Sequence, residues 1–214
     1  MTFVGDNELV LPMPPISMRR IEVLADAVLD VLAPAMTGPT GYAVNVADLI
    51  ERVLPEHGVD VYPVTAGELG PRFAATRADG DRTLIRLRDE LWDNILAGGR
   101  RANHARATVF HETGHAVMHV KILRQWGSAS SAEVELNRSL RRNLRAFEDP
   151  EWQAWGLGGC LAAPRRLLAR LLPTTLGCLA SEFQVSEDFL RRHVRRLRLG
   201  DQVYDLTSRP IGFV

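Results

Sequence analysis

The chain has two cysteines, a single lysine and no apolar run approaching the ~20 residues that span a bilayer. Cys160 and Cys178 stand apart without the CxxC spacing of a zinc or redox site. Two buried, reduced thiols in a cytoplasmic protein are therefore expected. No basic stretch followed by an apolar core stands at the N-terminus, so neither a secretory signal nor a membrane partner is expected. No internal repeat or low-complexity tract interrupts the chain. Acidic and basic residues balance at 26 each. They are unevenly placed: between Lys121 and Gly200 the basic ones are in excess, and all but Lys121 are arginine. That bias alone is weak support for a nucleic-acid surface.

What is present suffices for one substantial core. Residues 1–16, with Pro12, Pro14 and Pro15, read as an extended leader lying on the surface. Apolar residues at helical spacing predict a helix from Ser17 to about Ala33. A second, capped by Asn45, runs over Val46–Leu54, and Pro55 and Gly58 end it. The period then changes. Val59–Val64 predicts a strand, and Phe73–Arg77 with Thr83–Arg88 predicts a hairpin around Asp79-Gly80-Asp81. Together they suggest a small antiparallel sheet. Helices follow at Asp89–Leu96, Ala102–Val120, Glu133–Phe147, Pro150–Ala163, Thr174–Phe183 and Glu187–Arg198, with a possible strand at Gln202–Leu206. The expected fold is α+β and mostly helical: one domain over residues 17–200, followed by a tail at 201–214.

The chemistry concentrates in Thr108–His119, which contains His-Glu-x-x-His. Residues four apart on a helix lie about 40° apart around its axis and one turn along, so His111 and His115 face one point in space. Glu112, about 100° round the axis, can reach a metal-bound water and act as general base without being a ligand. Phe110, Val117 and Met118 are expected to bury the helix. His119 continues the ligand face a turn further and is expected to hydrogen-bond the ligands rather than join them. His104, two turns back, reads as helix surface. A catalytic zinc site needs a third protein ligand. The metzincin offsets fall on Met118 and Lys121, and no His-x-x-Glu-His occurs, so both alternatives are excluded. A glutamate from a later helix remains: Glu133, Glu135, Glu148 or Glu151 by position.

Three segments carry a family resemblance. Arg106 to His119 resembles the ImmA/IrrE-type metallopeptidase pattern R-F-T-x-A-H-E-L-G-H-x-x-L-H. Pro150-Glu151-Trp152-Gln153-Ala154, leading to Pro164, is similar to that family's P-E-x-Q-A helix. Leu179 to Ser186 is similar to its F-x-V-S segment. Thr113, Leu157, Ala162 and Ala163 depart from the usual residues at packing positions, not at a ligand or base. The resemblance covers roughly residues 17–198 and implies a zincin-like, gluzincin-type site in which Glu151 is the third ligand. It further implies zinc, with manganese able to substitute, and peptide hydrolysis in the bacterial cytoplasm. The implied protein substrate is a helix-turn-helix repressor, cleaved in a stress response or similar regulation.

Two other readings compete. Residues 174–198 read as a helix-turn-helix, with Arg191, Arg192, Arg195, Arg196 and Arg198 on its second helix, 186–198, available for phosphates. Against this, Phe189, Leu190, Val194 and Leu197 on the same helix suit packing on the core, and that is the favoured reading. The other alternative is a catalytically inactive member of the fold serving as a scaffold or toxin-antitoxin partner.

Overall fold

Two helices crossing backbone to backbone form the centre of the molecule, whose computed structural model describes residues 13–32, 43–127, 144–205 and 209–211. They are α6 (Ala102–Met118) and α8 (Pro150–Ala162). A Cβ on Gly114 would stand 2.6 Å from the Ala154 carbonyl oxygen, and one on Gly158 would stand 2.8 Å from that of Phe110. Each glycine costs about 1 kcal/mol of helix propensity relative to alanine. That cost is met by a crossing closer than any side chain allows. Every residue of α6 from Ala105 to His115 is buried.

Around this pair lie α1 (Met18–Leu32), α2 (Val46–Asp48), α3 (Leu54–Glu56), α4 (Ala66–Leu69), α5 (Asp89–Ala97) and α7 (Val120–Gly127). Beyond α8 come α9 (Arg165–Leu171), α10 (Leu176–Glu182) and α11 (Glu187–Arg196). A π-helical turn, Leu49–Val53, joins α2 to α3, so the helix continues past Pro55 instead of stopping at Leu54. The wider turn accommodates a proline ring that a regular helix would reject. The fold is mixed α+β, as expected. No helix among the described residues is long and apolar enough to cross a membrane.

The sheet is not purely antiparallel. Its strands β1 (Val59–Val64), β2 (Ala74–Asp79) and β3 (Arg82–Arg88) lie in the order β1-β3-β2, with β1 parallel and β2 antiparallel to β3. After β1 the chain passes through α4 and enters at the far edge, so the hairpin returns β3 into the middle. Asp79 pairs with Arg82, leaving Gly80 and Asp81 as a two-residue turn, and Gly80 takes φ 54°. Turn chemistry specifies such a hairpin, but not the edge on which an earlier strand docks. Thr76 lies opposite Ile85 on the buried face.

Several boundaries change. The end of the leader is tied down: Met13 is buried, and the Met13 and Ile16 amides donate to the Glu148 and Phe147 carbonyls. The described part of 201–214 is not a plain tail. β5 (Val203–Tyr204) pairs in parallel with β4 (Thr174–Thr175), and Ile211 is buried with its amide on Val203. α6 ends at Met118, and Val117 is exposed because it lies on the outward side of the helix, while His119 and Val120 just beyond it are buried. Of the predicted Glu133–Phe147 helix, only Ala146 and Phe147 are described as helical, within the 3-10 turn Ala146–Glu148; Glu133 and Glu135 lie outside the described residues. Cys160 is buried, but Cys178 is exposed because it lies on the outer face of α10.

α11 packs on α8 through His193, whose ring fills the notch left by Gly159. Its Nε2–H donates to the Ala163 carbonyl at 3.0 Å. Burial pushes His193 down from 6.5 to about 3. Below pH 6.5 the unfolded chain takes up a proton that the folded chain refuses. Stability is therefore complete above pH 6.5 and falls as pH drops toward 3, by up to roughly 1.4 kcal/mol per pH unit for this group. Urea midpoints at pH 7 and pH 5 test this: the difference should shrink in His193→Gln, and equal shifts in both proteins would contradict it. Independently, Gly114→Ala should destabilise by about 1–3 kcal/mol through overpacking. Thermal melting reads that as a fall of roughly 2–4 °C per kcal/mol.

Candidate metal centre

His111, His115 and Glu151 come together, all buried. α6 supplies the two imidazoles from successive turns. α8 supplies the carboxylate from its first turn, where Asp149 caps the helix by accepting from the Glu151 amide. The Gly114–Ala154 contact lies one helical turn from Glu151 and sets how closely the carboxylate approaches.

His115 Nε2 stands 3.1 Å from His111 Nε2 and 3.1 Å from Glu151 Oε1, and His111 Nε2 stands 3.3 Å from Glu151 Oε2. Ligands at roughly 2.0–2.1 Å from a tetrahedral zinc ion lie about 3.3–3.4 Å apart. Two ring nitrogens and the two oxygens of one carboxylate thus stand at separations close to those of zinc ligands. Burial alone would raise the Glu151 carboxyl, but hydrogen bonds from His111 and His115, and their charge, hold it well below the usual carboxylate range. Two ring nitrogens and a carboxylate oxygen with open coordination suit zinc or manganese.

Glu112 lies beside this cluster, 3 % exposed. Thr76 of β2 donates its hydroxyl to Glu112 Oε2 at 2.6 Å, and the Glu112 carbonyl lies 3.3 Å from the same hydroxyl. A cavity of about 20 Å³, room for one water-sized group, is lined by Thr76, Glu112, His115 and Glu151, together with Arg72, Ala74 and Ala75. On the other side, the Trp155 ring stacks on His111 at 4.1 Å between centroids. That ring limits the motion of a proposed ligand and shields it from solvent.

His119 lies between His115 and Gln153. It is fully buried, its Nδ1 lies 3.0 Å from His115 Nδ1, and its Nε2 lies 3.0 Å from Gln153 Oε1. Burial, then the neighbouring His115, pushes its pKa down to about 3. His104 is exposed and packs edge-on against Phe73. Glu148 sits in the 3-10 turn before α8, outside the cluster. Thr113 returns its hydroxyl to the Val109 carbonyl within α6.

Thr76, Gln153 and Trp155 were not anticipated as parts of the site. A signal for Thr76 was available: alternation in the hairpin places it on the face shared with Ala74, Ile85 and Leu87, a hydroxyl on an apolar surface. Nothing local marks Trp155.

The helix-turn-helix-like pair, α10 and α11, buries one face and leaves the other exposed. Arg195 donates to the Ile211 carbonyl, Arg196 donates to the Trp155 carbonyl, and Arg192 pairs with Asp188 at 2.9 Å. The exposed first turn of α11 carries Glu187 and Asp188, the wrong sign for phosphates.

Replacing Glu151 with Gln should weaken zinc binding in a chelator competition by more than the roughly 10–100-fold lost with an outer hydrogen-bonding partner. Unchanged affinity would remove Glu151 from the site. No protein-family model matches the chain, and no curated protein matches it.

Proposed function

We propose that the protein is a metal-dependent endopeptidase with a zincin-like fold of the ImmA/IrrE type. The observation that carries this reading is the buried cluster of His111, His115 and Glu151, with the Glu112 carboxylate on the histidines' helix and beside the same small cavity. A zinc or manganese ion held there supplies Lewis acidity, polarising a peptide carbonyl and lowering the pKa of water from ~15.7 toward ~7.

The chain's own residues do the rest. Glu112 accepts a proton from the attacking water and returns one to the leaving amine. Thr76 holds Glu112 Oε2, which orients the carboxylate before substrate arrives. Trp155 and the burial of both imidazoles exclude bulk water from the ligands. β2 is an edge strand of the sheet and lines the cavity through Ala74, Ala75 and Thr76. An extended peptide laid along it would present its backbone to the site.

The family resemblance suggests a helix-turn-helix repressor as the substrate and the bacterial cytoplasm as the setting. The inward engagement of Arg195 and Arg196 favours this reading over DNA binding by α11. The bound position of Glu112 favours it over an inactive scaffold, which has no need of an oriented base.

Glu112→Gln is the decisive variant. Zinc-loaded wild-type protein incubated with a bacterial proteome should create new N-termini detectable by mass spectrometry. Glu112→Gln should retain zinc and create none. Cleavage by the variant at the wild-type rate would rule out this mechanism.

A further inference from the structure

We infer that Gln153 is a positioning residue for the metal centre: acting through His119, it determines which nitrogen of His115 carries the proton, and it ties that choice to the N-terminal segment. The inference rests on the metal-site reading above and adds a determinant outside the ligand set.

The direction of the hydrogen bonds follows from what each group can do. Gln153 Nε2 lies 3.0 Å from the Pro14 carbonyl oxygen and 2.8 Å from that of Phe147. Carbonyl oxygens only accept, so both N–H groups of the amide are committed to them. The amide cannot flip without setting its oxygen against two others. Its Oε1 therefore faces His119 Nε2 at 3.0 Å and accepts from it. His119 thus carries its proton on Nε2, and in a neutral imidazole the other nitrogen is bare. That bare Nδ1 lies 3.0 Å from His115 Nδ1, which must then donate. With a metal ion bound, the Nε2 lone pair of His115 would then face it, the form a ligand requires; without one, a proton on Nε2 donates to Glu151 Oε1.

The start of this relay is built by the leader. Met13 and Ile16 donate to the Glu148 and Phe147 carbonyls at 3.0 and 3.1 Å, two rungs that hold Pro14 between them. Its carbonyl is thereby presented to Gln153. Gln153 is 2 % exposed, so its own amide is shielded from water, although Pro14 and Phe147 are exposed residues. The N-terminal segment becomes an outer wall of the metal centre, although it is far from it in sequence.

The test is a long-range ¹H–¹⁵N correlation spectrum of the full-length protein, with and without zinc, combined with zinc competition. His119 should be protonated on Nε2 in both states, and His115 on Nδ1 with zinc bound. Gln153→Leu should give His119 a mixture of tautomers and weaken zinc binding about 10–100-fold. Gln153→Glu, protonated on the oxygen that faces the Pro14 and Phe147 carbonyls, keeps an acceptor facing His119 and should retain the Nε2–H tautomer. Wild-type His119 protonated on Nδ1 would overturn the inference, as would a Gln153→Leu spectrum identical to wild type. If Gln153→Leu fails to fold, the wild-type spectrum and Gln153→Glu decide. The readout is independent of catalysis: a zinc-binding protein with these tautomers that cleaves nothing would refute the peptidase reading and uphold this one.

Discussion

The approach of α6 to α8 is the constraint on which the site depends. Two helices with ordinary side chains at the contact pack 8–10 Å apart. Here Gly114 meets the backbone at Ala154, and Gly158 meets it at Phe110, so the separation is set by main-chain atoms. The histidines and Glu151 flank this crossing, which lets a short glutamate side chain reach two imidazoles. A wider crossing would leave the carboxylate buried and remote from both, at a cost of several kcal/mol. Glycine spacing and ligand spacing are thus parts of one arrangement.

The same contact shapes the electrostatics. Two ring nitrogens at 3.1 Å and a buried carboxylate are an unfavourable group in a low-dielectric interior unless a positive charge sits among them. Protons on the imidazoles offset part of that cost, and a divalent ion in their place would offset more. Around this centre each neighbour constrains one degree of freedom. Thr76 restrains the Glu112 carboxylate, Trp155 restrains the His111 ring, and His119 restrains the His115 ring.

The C-terminal helices act from the far side of α8. α11 places His193 against Gly159 and Arg196 on the Trp155 carbonyl, so the helix that resembles a DNA reader braces the helix carrying Glu151 and Trp155. β5 and Ile211 fasten this unit in turn. An arginine-rich face is thereby partly spent on main-chain carbonyls. Composition cannot distinguish that use from a phosphate-binding one, because guanidinium groups serve both.

Local chemistry made much of this legible. Helical spacing put His111 and His115 on one face; Asp149-Pro150 marked a helix start, and Ser186 another, both matching observed caps. Alternation and Gly80 marked the hairpin. These features depend on residues within a few positions of one another, and the chain carries them wherever it folds. Tertiary structure alone decided the rest: that β3 lies between β1 and β2, that Thr76 meets Glu112, and that Pro14 reaches Gln153. Each joins residues far apart in sequence, and its partner is selected by packing, which no local pattern encodes. The third member of the candidate metal site lies between these cases. Position left four glutamates, the family resemblance pointed to Glu151, and the crossing at Gly114 brought Glu151 to the histidines.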